Sequence, residues 1–132
     1  MGLLYHTSLC VLDLERAAAF YDKVLATIGA KRIWDIAPLA VGYGREGEDA
    51  SFWLQSPDHM PFLRPAVSGH FAFKVETPEL VLAFYETALS LGAESMLEAK
   101  LHDDMPGYFG TVVKDLDGHL PECFAMGDVP KA

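Results

Sequence analysis

The chain has 132 residues, 51% of them hydrophobic, and its 10 basic against 19 acidic residues leave a formal charge of −9. Such a length suits one compact domain, or two half-domains sharing a core. The charge argues against nucleic acid and anionic membranes as partners, since there is no Lys/Arg run to release counterions; the apolar content argues against disorder, and no apolar run approaches the roughly 20 residues that span a bilayer.

The N-terminus, Met1-Gly2-Leu3-Leu4-Tyr5-His6, has no basic region and no cleavage site of the secretory kind. A strand is predicted over Tyr5–Val11, with Tyr5, Thr7, Leu9 and Val11 on one face and His6, Ser8 and Cys10 on the other. A helix follows: Asp13 is its N-cap, Glu15 lies in the first turn, Ala17, Tyr21, Val24, Leu25 and Ile28 form its apolar stripe, and Gly29 stops it. Short strands are expected near 31–36, 39–44 and 50–55. The Pro-rich stretch that follows, 57–67, reads as a linker.

Beyond it the order repeats. A strand opens at His70, with Phe71, Phe73 and Val75 facing opposite His70, Ala72 and Lys74. Thr77 caps a second helix, Pro78 sits at its first position, Leu80, Val81, Phe84, Tyr85, Ala88 and Leu89 supply its stripe, and Gly92 ends it. Strands are expected near 94–100, 107–114 and 120–126, with Asp115-Leu116-Asp117-Gly118 as the turn before the last. Residues 6–25 laid on 70–89 agree at seven of twenty positions: His6/His70, Val11/Val75, Glu15/Glu79, Ala19/Ala83, Phe20/Phe84, Tyr21/Tyr85 and Leu25/Leu89. The chain therefore reads as an α+β fold of two tandem βαβββ modules, about 3–56 and 68–127, forming a cupped mixed sheet within a single domain.

The matched histidines are the chemical signal. His6 and His70 stand on equivalent strands and on the face turned from the helices, and imidazole is the commonest protein ligand of divalent transition metals. Glu122, on the last strand, is the candidate carboxylate; with the two histidines it would make a facial triad that leaves positions for substrate or water. His102 heads the loop to Tyr108 and is a candidate for a pocket mouth. Asp103-Asp104 in that loop reads as solvated, and His59 and His119 as exposed. Tyr43, Trp53 and Tyr108 either line a cavity or pack the core, and the residues alone leave both open. Arg45 and Arg64 are candidate anion anchors by type and loop location. Cys10 and Cys123 stand outside any CxxC, in apolar runs, as expected of free thiols in a reducing cytoplasm.

The doubled unit, with His6 in Leu4-Tyr5-His6-Thr7-Ser8-Leu9, resembles the vicinal oxygen chelate superfamily, also called the glyoxalase/bleomycin resistance/dioxygenase fold. So do Asp13-Leu14-Glu15-Arg16-Ala17, Ala19-Phe20-Tyr21, Gly69-His70-Phe71-Ala72-Phe73, and the run from Lys114 to Glu122. The resemblance implies a cup around a divalent ion (Fe, Mn, Ni or Zn) that holds two vicinal oxygens of a small-molecule substrate, and commonly a homodimer. His6, His70 and Glu122 fall on metal-ligand positions. Catalytic roles would fall to Glu122, His102 and Tyr108, and substrate contacts to Tyr43, Arg45, Trp53 and Tyr108. The family's lactoylglutathione lyases use a fourth ligand on the last strand of the first unit. Here that position is Phe52 or Trp53, which disfavours classical glyoxalase I chemistry and leaves a lyase, a dioxygenase or a thiol or water addition. The alternative is a metal-free binder of a drug or metabolite. Pro121, where the family usually has Ile or Val, is expected to mark an edge strand or bulge.

Overall fold

A computed structural model describes residues 3–65 and 69–127, and the chain divides into two compact units, Met1–Val67 and Ser68–Ala132. In the first, β1 (Thr7–Cys10) leads to α1 (Leu14–Ala26), then β2 (Ala30–Ile36), β3 (Ala40–Arg45) and β4 (Phe52–Gln55). The sheet order is β1-β4-β3-β2; β1 and β4 are parallel and the other pairs antiparallel. Asp13 caps α1 by accepting a hydrogen bond from the Arg16 amide at 3.0 Å, which satisfies one of the helix's orphan donors. The expected stripe is buried, together with Leu14, Ala18 and Phe20. Tyr21 packs edge-on against Phe20 and tilted against Phe52 of β4. Gly29, at φ +81°, takes the left-handed turn that ends this segment.

The second unit runs β5 (His70–Lys74), α2 (Pro78–Ser90), β6 (Glu94–Leu101), β7 (Tyr108–Lys114) and β8 (Leu120–Met126), in sheet order β5-β8-β7-β6. Thr77 caps α2. Val81, Phe84 and Ala88 are its fully buried residues, while Leu80, Tyr85 and Leu89 are half-buried. Tyr85 therefore differs from its counterpart Tyr21: its hydroxyl donates to Ser95 Oγ at 2.9 Å instead of entering the core. Each unit is thus a βαβββ element with a mixed four-stranded sheet and one helix. No helix among the described residues is long and apolar enough to cross a membrane.

Three expectations change. His119 is buried, at 1% exposure, and neither ring nitrogen has a hydrogen-bond partner among the described residues. It lies one residue ahead of β8, in phase with Pro121, Cys123 and Ala125, all of which are buried. Its backbone amide donates to Asp115 Oδ1, as does that of Asp117, so the turn pulls it inward. Pro121 stands in an interior strand. It pairs with Phe71 of β5, and the ladder to β7 begins only at Glu122, so its missing donor costs no bond on that side. His6 lies just ahead of β1 and is exposed, whereas His70 is itself the first residue of its strand.

Candidate functional site

The second unit gathers the chemistry. The parallel register sets Ala72 of β5 beside Glu122 of β8. His70, two residues before Ala72, therefore shares Glu122's face. His70 Nε2 donates to Glu122 Oε1 at 2.8 Å, and the Tyr108 hydroxyl donates to Glu122 Oε2 at 2.6 Å. The two side chains differ in access, His70 at 57% exposed and Glu122 at 16%. Tyr108 stacks on Phe124 with centroids 5.5 Å apart and planes 18° apart. Burial first, then the hydrogen bond to Glu122 and its charge, hold the Tyr108 phenol well above its ordinary pKa. His102 Nε2 donates to the Gly110 carbonyl at 3.0 Å, and its ring lies 5.7 Å from that of Tyr108. Together with Leu97, Asp104, Met105 and Val112, the His70, His102, Tyr108 and Glu122 side chains line a cavity of about 250 Å³. Asp104 thus lines the cavity rather than being merely solvated.

The first unit arranges its candidates differently. His6 meets Tyr5 at 5.5 Å and Trp53 edge-on at 6.4 Å between ring centroids. Ser8 pairs with Trp53 as Ala72 pairs with Glu122, so the residue equivalent to Glu122 is the indole. Trp53 lies across Gly42, where a Cβ would meet its ring at 2.8 Å. Arg45 ends β3, is exposed, and borders a wide open cleft with Tyr5 and Asp49. His59 is exposed, with Nδ1 2.7 Å from Gln55 Oε1. Cys10 and Cys123 are free and buried. Burial pushes the Cys10 thiol up, against an opposing pull from Arg64.

Tyr43 is a core residue. It is 1% exposed and lies on the α1 side of the sheet, where its hydroxyl contacts the Ala18 carbonyl at 3.2 Å and Asp22 Oδ1 at 2.8 Å. Burial, then the bond to Asp22, raise its pKa well above the usual 10.0. The consequence for pH runs in one direction. The unfolded chain releases this proton near pH 10 while the folded chain keeps it, so stability is full below that pH and falls above it. The expected slope is about 1.4 kcal/mol per pH unit. Urea unfolding between pH 8 and 11 reads it, and Tyr43→Phe removes this share; identical slopes in the two proteins would refute the assignment.

His70 and Glu122 are the donors of this unit that suit a divalent ion. One is an imidazole nitrogen and the other a carboxylate oxygen, and their 2.8 Å spacing is close to that of adjacent ligands about 2.1 Å from one ion. Among the described residues, no three His, Cys, Asp or Glu side chains are grouped as a metal centre. The residues that the sequence did not single out are Leu97, Gly110 and Val112. The available signal was alternation: Tyr108 and Gly110, two apart on one strand, must share a face.

The family described as the Glyoxalase/Bleomycin resistance protein/Dioxygenase superfamily matches residues 3–123. No curated protein matches the chain. Among solved structures, a glyoxalase/bleomycin resistance protein from Albidiferax ferrireducens superposes with a TM-score of 0.76 at 22% identity, over 96% of this chain and 100% of that one. A glyoxalase/bleomycin resistance protein/dioxygenase family enzyme from Burkholderia phytofirmans gives 0.71 at 17% identity, over 96% and 100%. A lactoylglutathione lyase from Agrobacterium tumefaciens gives 0.69 at 20%, over 95% and 94%. At these identities the likeness is one of fold.

Proposed function

This chain belongs to the Glyoxalase/Bleomycin resistance protein/Dioxygenase superfamily, and from that premise we propose that it is a metal-dependent enzyme acting on a small molecule with two neighbouring oxygens. The observation that carries the reading is the His70–Glu122 pair, 2.8 Å apart at a cavity of about 250 Å³. His70 and Glu122 would supply two of the ligands to an Fe, Mn, Ni or Zn ion. A bound ion would act as a Lewis acid, polarising the substrate oxygens and stabilising developing negative charge. The chain's own groups do the rest: Tyr108 holds one carboxylate oxygen of Glu122, His102 stands at the cavity, and Leu97, Met105 and Val112 supply its apolar wall. Trp53 in the place equivalent to Glu122 supports a lyase, dioxygenase or thiol or water addition over classical glyoxalase I chemistry, because an indole is neither a ligand nor a carboxylate base. The proposal extends to a cytoplasmic homodimer.

Elemental analysis tests this on protein purified without chelators or a His tag, beside the His6→Ala/His70→Ala variant. About one ion per chain is expected in the first, with loss in the variant; equal contents overturn the reading. A second reading, a metal-free binder, is favoured by Trp53 lying on Gly42 beside His6, an aromatic surface suited to a flat ligand. Thermal unfolding separates the two, since an ion that binds only the native state raises its stability and EDTA reverses the gain.

A further inference from the structure

We propose that Tyr108 and Gly110 form a positioning device for Glu122: the bare backbone of Gly110 seats the phenol ring so that its hydroxyl holds Oε2, and Oε1 is the one oxygen offered to a ligand. A Cβ at Gly110 would stand 2.3–2.5 Å from the Tyr108 Cζ, Oη and Cε1 atoms. That is far inside van der Waals contact, so any side chain there displaces the ring. The ring is held from its other neighbours as well. It stacks on Phe124, and His102, bonded to the Gly110 carbonyl, tilts against it. The seat is therefore built by two strands, β7 and β8, and the loop end at His102. The hydroxyl meets Oε2 at 2.6 Å while His70 meets Oε1 at 2.8 Å. A carboxylate so divided is fixed in rotation, and it binds through a single oxygen instead of chelating through two.

The functional meaning of this device rests on Glu122 being a ligand; the contact itself does not. The first measurement therefore needs no ion. Beside the resonance of Tyr43 on Asp22, proton NMR at low temperature should show a second downfield tyrosine hydroxyl resonance, as expected for a short charge-assisted bond. It should be missing from Tyr108→Phe, Glu122→Ala and Gly110→Ala. Its persistence in Gly110→Ala overturns the seat, and its absence from the unaltered protein overturns the bond.

The second measurement is Zn²⁺ affinity by competition with a chromophoric chelator. Tyr108→Phe, which keeps the ring over Gly110, should weaken binding about 10- to 100-fold, as removal of a ligand's supporting partner does. If Gly110 acts through the hydroxyl, Gly110→Ala/Tyr108→Phe is no weaker than Tyr108→Phe alone; additive losses overturn that route. Unchanged affinity in Tyr108→Phe overturns the positioning role. Should the unaltered protein bind no Zn²⁺, the metal reading and this role fall together, and the resonance still decides the contact.

Discussion

Phe84→Ala lowers the free energy of unfolding by about 3–5 kcal/mol, the range for deleting a fully buried aromatic ring. Phe84 is 0% exposed, and its ring lies 6.1 Å from that of Phe73 on β5. It stands at the middle of the Val81, Phe84, Ala88 line by which α2 packs on β7 and β8. Alanine would lose the transfer energy of the ring and leave a cavity that strands on a fixed ladder cannot close. Leu82, 37% exposed on the same helix, is the control, and Leu82→Ala should cost well under half as much. Urea unfolding of both reads the difference; comparable losses would refute the packing account.

Asp22→Ala is the second large effect, at about 1–3 kcal/mol. Arg32 Nε and Nη2 donate to the two Asp22 oxygens at 2.8 Å each, a bidentate pair, and Tyr43 donates to Oδ1. The carboxylate hydrogen bond and charge raise the Arg32 pKa above its ordinary value. Asp22 is 39% exposed and Arg32 32%, so water screens the ion pair and its Coulomb share is small. The cost falls instead on the Tyr43 hydroxyl, which is left in the core with the Ala18 carbonyl as its remaining partner. Tyr43→Phe beside Asp22→Ala should recover part of the loss, because the hydroxyl no longer needs a partner; a purely additive pair would show that Tyr43 and Asp22 act independently.

The plan of the fold was legible because it rests on local chemistry repeated twice. Asp13 and Thr77 announce helix starts, Gly29 and Gly92 the stops, and the shift that matches His6 with His70 also matches Phe20-Tyr21 with Phe84-Tyr85. Contacts between elements were not legible. Arg32, Asp22 and Tyr43 come from β2, α1 and β3, and no spacing rule brings them together. His119 looked like a turn residue until the phase of β8 placed it with Pro121 and Cys123. For the candidate site, His70 and Glu122 could be named from their strands, whereas the part of Tyr108 needed the register of β7 on β8 and the bare Cα of Gly110.

The duplication also left a mismatch: where one copy keeps an acid, the other keeps Trp53, pressed on Gly42 and edge-on to His6. The chain has only two tryptophans, and the other, Trp34, is well exposed on β2. Trp34→Phe therefore leaves a single tryptophan within sight of one of the matched histidines, an optical label that reports on that face without any dye attached.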